Sequence, residues 1–280
     1  MDTASLHQSI LVYRSFRYLK WAALLVLASI VAYVLHRPYA GVPNGGSWLG
    51  YTLGTVSALI ILWLMFLGIR KRRYGVGKVK LEDWVSAHVY LGLSLIIITT
   101  LHSGFQFGWN VHTLAYGLVM FVVVSGIFGV YAYVRYPQLI TENRHGLTQD
   151  KMLAQIADLD KEMRSVAVDL GEDVNRAILR AAQETRVGGS LTRMLSGTEP
   201  NCATTAARKQ LENASHKGGS EVANRRLLAL LVRKEELLRR ARRDVQLSAL
   251  MQVWLFAHVP MSFALLAALL SHVISVFFYW

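Results

Sequence analysis

Two stretches decide the fold: WVSAHVYLGLSLIIITTLH, residues 84–102, and WLFAHVPMSFALLAALLSH, residues 254–272. Each opens on a tryptophan (Trp84, Trp254), carries a histidine four residues later (His88, His258) and closes on a second histidine fourteen residues beyond the first (His102, His272), so both read W-x3-H-x13-H. Helical geometry gives the spacing its meaning. At about 100° and ~1.5 Å per residue, fourteen steps bring the chain back to within roughly 40° of the same face and advance it by about 21 Å. Each pair therefore shares a face, with its members at different heights. The residues between them are almost all apolar or small, as a helix crossing a hydrocarbon core of ~30 Å requires.

Working outward, the remaining apolar residues also gather into runs. They lie near 18–36, 48–69, 83–104, 111–134 and 249–280, and 53% of the 280 residues are hydrophobic. The mean hydropathy is positive, which is unusual for a soluble domain of this size. The expectation is an all-α protein: an integral membrane bundle of five transmembrane helices with a cytoplasmic helical-hairpin, coiled-coil-like insert. Its parts are a cytoplasmic N-terminal segment (1–17), transmembrane helices one to four (18–134), the insert (135–248) and the fifth transmembrane helix (249–280).

The net charge of +12 invites a nucleic-acid reading, but the placement of the charges argues against it. On one side of the predicted spans only Arg37 falls in a loop. Arg14, Arg17, Lys20, the Arg70–Arg73 cluster, Lys78, Lys80 and the whole of 135–248 fall on the other. The positive-inside rule then puts the N-terminus and the insert in the cytoplasm of a plasma (inner) membrane protein, with Trp280 outside. A signal peptide is the competing reading of the first span; no small-residue cleavage site follows it, so an uncleaved helix is expected. The single cysteine, Cys202, excludes a disulfide framework and any thiolate cluster.

Within the insert, Met152, Ile156, Leu159, Met163, Val166 and Leu170 recur at steps of four and three, a coiled-coil seam. A second stretch at 221–247 places Leu227, Leu231, Leu238, Ala241 and Val245 on one stripe, interrupted by Lys234. Together they predict an antiparallel stalk rising from the membrane. The connection at 187–220, rich in Gly, Ser, Thr and Asn, including Gly188-Gly189 and Gly218-Gly219, predicts a loop or tip. The basic pairs Arg225-Arg226, Arg239-Arg240 and Arg242-Arg243 read as a solvated, topology-setting face, with anionic lipid or an acidic partner as the alternative. Glycines Gly50 and Gly54 on an otherwise lipid-facing second span, and Ser125, Gly126 and Gly129 on the fourth, read as helix-packing residues.

Histidines in lipid need a common explanation, because charged groups cost ~2.5 kcal/mol or more at the bilayer centre. If both W-x3-H-x13-H helices run from the cytoplasm outward, His88 meets His258 at one depth and His102 meets His272 at the other. Two imidazoles facing one another supply axial ligands on the two sides of a haem iron. A zinc ion would instead need its ligands converging on one point, whereas these pairs are separated by about 21 Å of helix. The four histidines are thus candidate iron ligands for two b haems. With both axial positions filled there is no open position for a substrate, which points to electron transfer. His112, beside Trp109 and Asn110 at the head of the fourth span, reads as a surface histidine, with a haem propionate or a quinone as its alternative partner. His7, His36, His145 and His216 look unremarkable, and Arg73, Lys78 and Lys80 read as the positive flank of the third span. Pro260 removes a backbone donor beside His258 and should bend the fifth helix locally.

At these residues the sequence resembles the dihaem membrane cytochromes b, a broad group that includes the respiratory bc complexes and the membrane domains of ferric reductases and NADPH oxidases. In that group two parallel helices each contribute two histidines about 13 or 14 residues apart. The resemblance covers roughly residues 83–134 and 249–280, and its use of the third and fifth spans is similar to the ferric reductase arrangement. It implies that His88 and His258 hold the cytoplasmic-side haem, and His102 and His272 the outer one. Neither a sixth span nor a flavin or nicotinamide domain follows in the sequence, and the insert has no counterpart in the resemblance.

The expectation is an electron-transfer subunit of an oxidoreductase. It would exchange electrons between a quinone pool or a cytoplasmic donor and an acceptor at the outer face, with lipid around it, redox proteins on one or both faces and no nucleic acid. Two rivals stand beside it: a transmembrane reductase acting on an outer substrate such as ferric iron, and a haem-free scaffold whose insert recruits cytoplasmic proteins.

Overall fold

The computed structural model of the chain describes residues 12–40, 43–72, 81–214 and 221–278. Arg73, Lys78, Lys80, His7, His216, Gly218, Gly219 and Trp280 lie outside those residues. Among the described residues all regular structure is helical, with no strand. The helices are α1 (Tyr13–Ala40), α2 (Trp48–Arg72), α3 (Leu81–Ser103), α4 (Val111–Arg144), α5 (Gln149–Ala167), α6 (Glu172–Glu184), α7 (Leu191–Ser196), α8 (Ala203–Ala214) and α9 (Glu221–Phe278). Five of them, α1, α2, α3, α4 and α9, are long and apolar enough to cross a membrane. Helix α9 begins far ahead of its apolar run because residues 221–248 are mostly strong helix formers with no glycine or proline among them. It also runs on through Pro260, which deprives the Phe256 carbonyl of its usual donor.

Two compact units make up the chain: Met1–Ala132 with Trp254–Trp280, and Tyr133–Val253. In the first, α1 and α2 both pack against α3. Leu49 and Leu53 of α2 meet Ile98 and Leu101 of α3, flanked by Leu25, Ala32 and Tyr33 of α1. A second cluster joins four helices: Ile61 of α2, Leu95 of α3, Val119 and Val123 of α4, and Leu265 of α9. Leu95 lies seven residues from both His88 and His102, and Leu265 seven from both His258 and His272. A purely aliphatic layer thus fills the middle of the unit, halfway between the two histidine levels. Large apolar side chains point outward from these helices, with Leu59 61%, Val124 61% and Phe256 83% exposed. The unit is thus apolar outside as well as inside, whereas large exposed apolar surfaces are normally covered in a water-soluble bundle.

One buried acid anchors α1. Asp83, near the start of α3 and 3% exposed, accepts hydrogen bonds from Tyr18 at 2.9 Å and Tyr13 at 3.4 Å, with the Arg14 guanidinium at 3.3 Å. Beside these partners Arg14, Ser15 and Phe16 adopt left-handed backbone angles, φ 48°, 53° and 59°. That conformation costs about 1–2 kcal/mol per residue, so the Asp83 contacts hold α1 against local strain.

The second unit departs from the expected two-helix stalk. Both seams are present: Met152, Ile156, Leu159 and Met163 of α5 are buried with Leu227, Leu231 and Leu238 of α9. The same core, however, takes in Ile178 and Ala181 of α6, Cys202, and Ala207 and Leu211 of α8. The unit is a multi-helix core, and the 187–220 connection contains α7 and α8 where a loop was expected. Helix α8 forms because its sequence, ATTAARKQLENA, is rich in alanine and long unbranched residues despite its polar setting. Thr148 caps α5 by accepting from the Lys151 N–H at 3.2 Å.

Lys234, an interruption of the stripe in sequence, is a buried donor in the structure. Its Nζ lies 2.6 Å from Asp160 and 2.8 Å from the Ala181 carbonyl, tying α9 to α5 and α6. The basic pairs are engaged within the unit as well: Arg226 meets Glu162 at 2.7 Å, Arg242 meets Glu199 at 2.6 Å, and Arg225 and Arg240 pair with Glu221 and Glu236 one turn earlier. Cys202 is buried, which pushes its thiol pKa up. The Arg242 guanidinium, 3.4 Å from Sγ, and the Thr205 and Thr204 backbones outweigh that effect, and the net shift is downward.

Candidate cofactor site

Of the four histidines of the two repeated stretches, one pair meets ring to ring in the first unit. His102 and His272 have ring centroids 6.0 Å apart and planes at 89°. His88 lies within electrostatic reach of His258. The His102–His272 contact is the pairing that the matching spacings predict for one of the two levels.

Hydrogen bonds fix how the rings are held and which nitrogen is left. Nδ1 of His102 is 2.7 Å from the Gly50 carbonyl oxygen. A carbonyl can only accept, so Nδ1 carries the proton and Nε2 keeps its lone pair. The ring sits over Gly54, where a Cβ would come within 2.7 Å of Cε1. Helix α2 is therefore more than a lipid-facing span, since Gly50 and Gly54 supply an acceptor and a seat for His102.

His258 is held by an equivalent device on α4. Its Nδ1 is 2.7 Å from Ser125 Oγ, and the Ser125 hydroxyl donates its one proton to the Val122 carbonyl at 2.9 Å. With that proton directed at the Val122 carbonyl, Ser125 Oγ accepts from Nδ1–H and Nε2 of His258 keeps its lone pair; with the hydroxyl turned to Nδ1, the tautomer is the opposite one. Trp254, one turn earlier on α9, donates to the backbone carbonyl of the same serine at 2.8 Å. Its indole fills the space over Gly129, where a Cβ would come within 2.0 Å of Cζ2, while a Cβ at Gly126 would make ordinary contact with His258 at 3.6 Å. Ser125, Gly126 and Gly129 do serve packing, and what they pack is the W-x3-H unit.

The other tryptophan behaves differently. Trp84 stacks flat on Trp63 of α2, with centroids 4.6 Å apart and planes within 4°. His88 has its Nδ1 buried without a hydrogen-bond partner among the described residues, and the Leu64 backbone lies beside the ring.

His112 is exposed, in keeping with its reading as a surface residue, but it also has a partner that the sequence does not suggest. Its Nδ1 is 2.5 Å from Nδ1 of His272, with centroids 4.5 Å apart. The signal available in sequence was only its place at the head of α4. His36 stands apart from this cluster and packs edge-on against Trp48. No group of three or more His, Cys, Asp or Glu side chains is arranged to hold a metal ion among the described residues. No protein-family model, curated protein or solved structure matches the chain.

Proposed function

We propose that the chain is an integral membrane cytochrome of b type, with two haems held by His88 with His258 and His102 with His272, passing electrons across the bilayer. The observation that carries this reading is the His102–His272 pair, 6.0 Å between ring centroids, with Nε2 of His102 left free by its bond to Gly50. Two imidazoles on opposite sides of one metal, each nitrogen ~2 Å from it, bring their ring centroids to roughly 6 Å. The donor set fits as well. Neutral imidazole with Nδ1–H fixed by a second partner is the form that ligates through Nε2; the Gly50 carbonyl holds His102 in it, and Ser125 Oγ offers His258 an acceptor for the same form.

A haem held by either histidine pair would supply one-electron chemistry, with both ligand positions taken by the chain and none left for a substrate. The chain's own residues do the rest. Gly50 and Ser125 hold the ligand tautomers, Gly54 and Gly129 admit the rings, and Leu95 and Leu265 keep the two levels apart and dry.

Outward-facing apolar side chains on the long helices support insertion in lipid. The charge distribution supports an orientation with the N-terminus and residues 135–248 in the cytoplasm and the C-terminus outside the plasma (inner) membrane. Electrons would pass between a quinone pool or a cytoplasmic donor protein and an acceptor at the outer face. Single replacement of the four histidines by alanine tests the pairing. His102 and His272 variants should each lose the same haem component in a redox titration, and His88 and His258 variants the other. Loss in mixed pairs would overturn the assignment.

A further inference from the structure

Two nitrogens 2.5 Å apart share one proton between them. At that distance Nδ1 of His112 and Nδ1 of His272 cannot both carry hydrogen, nor can both present lone pairs. Two arrangements remain. If His112 donates, His272 carries its proton on Nε2 and has no lone pair there for a metal. If His272 donates, its Nε2 is free and the proton of His112 sits on Nε2, away from the contact.

We propose that His112 is a positioning residue: its Nδ1 accepts from Nδ1–H of His272, and so fixes the tautomer and ring orientation in which His272 ligates the outer haem and raises its basicity. This rests on the two-haem reading above. It would be the third instance of one device in the same unit, after Gly50 for His102 and Ser125 for His258. The outer pair would thus have both Nδ1 atoms partnered, from α2 on one side and α4 on the other.

His112 is itself held in place, as a positioning role demands. It is the second residue of α4, whose start is tied down locally: Asn110 Oδ1 accepts from the Thr113 N–H at 3.0 Å, and Thr113 Oγ1 accepts from the Gly108 N–H at 3.0 Å. The imidazole therefore approaches His272 from a capped helix end and not from a loose loop. Partners that accept from a ligand histidine make it a stronger donor and typically change metal-site properties by 10–100-fold.

The test compares His112→Phe, which keeps a ring but removes the acceptor, with His112→Asn, whose Oδ1 can replace Nδ1. Full-length protein purified in detergent is titrated potentiometrically while the low-spin signals of the two haems are followed by electron paramagnetic resonance. With a weaker donor at His272, the oxidised state of the outer haem is less favoured. His112→Phe should therefore raise the potential of one component only, by a roughly tenfold change in the oxidised-to-reduced ratio, about 59 mV for one electron, or release that haem. His112→Asn should stay close to the unsubstituted protein. Identical behaviour of the two variants, whether both unchanged or both altered, overturns the role of His112 while leaving the four ligands standing. Absence of haem from the unsubstituted protein overturns the two-haem reading and this inference with it.

Discussion

If the chain holds the two haems proposed above, replacing Gly54 by alanine should empty or weaken the His102–His272 site and spare the other. The added Cβ would stand 2.7 Å from Cε1, 2.9 Å from Nδ1 and 3.2 Å from Nε2 of His102. Ordinary carbon contacts begin at about 3.5 Å, so the ring has to retreat by roughly 1 Å. Such a shift breaks the 2.7 Å bond from Nδ1 to the Gly50 carbonyl. Overpacking of this kind costs ~1–3 kcal/mol and the lost hydrogen bond ~0.5–1.5 kcal/mol. At about 1.4 kcal/mol per factor of ten, a total of ~1.5–4.5 kcal/mol weakens the His102–His272 site by roughly 10- to 1600-fold. Gly126→Ala provides the internal comparison, because its Cβ would lie 3.6 Å from Cε1 of His258, an ordinary contact. Haem per chain and a two-component redox titration read the outcome: near one haem for Gly54→Ala, near two for Gly126→Ala. Two unchanged components in Gly54→Ala, or equal damage from both substitutions, would refute the reasoning.

Further outcomes follow from single contacts. Ser125→Ala removes the acceptor for His258 Nδ1–H and should weaken the His88–His258 haem by ~10–100-fold, with Ser125→Thr restoring it in the same haem titration. In the second unit, Lys234→Met leaves Asp160 buried without its partner and should cost about 3–5 kcal/mol, read as faster amide exchange in α5 and α9; Lys234→Met with Asp160→Leu should recover most of the loss. Cys202, its thiol pKa depressed in the folded chain, should add stability that is fully present above its ordinary value of 9.0 and lost as pH falls through the lower folded value. Unfolding of wild type and Cys202→Ala between pH 7 and 10 should diverge in favour of wild type as pH rises, and a constant difference would contradict it.

Periodicity made the helices legible because both signals survive any tertiary context. Uninterrupted apolar runs mark the five long helices, and the fourteen-residue spacing sets His88 and His102 on one face of α3 and His258 and His272 on one face of α9, so that parallel helices match His102 with His272. The partners of those histidines were not legible. Gly50, Gly54 and Ser125 look like generic packing residues in sequence, since a backbone carbonyl or a single hydroxyl leaves no pattern. His112 lies 160 positions from His272, and only the assembled helices bring the two rings together. Polar segments misled in the other direction. Residues 187–220 carry turn formers, yet the stretch ATTAARKQLENA within them has the propensity and the apolar stripe to form α8 and close the core. Lys234 looked like a defect in a seam because its acceptors, Asp160 and the Ala181 carbonyl, come from elements distant in the chain.

The most direct measurement is the haem content of the purified full-length chain, by pyridine haemochrome against protein concentration, with a reduced-minus-oxidised spectrum. The account predicts about two b haems per chain, both low-spin with two imidazole ligands. A protein that is colourless after expression with ample haem would contradict it, leaving the paired histidines as packing residues of an all-helical bundle.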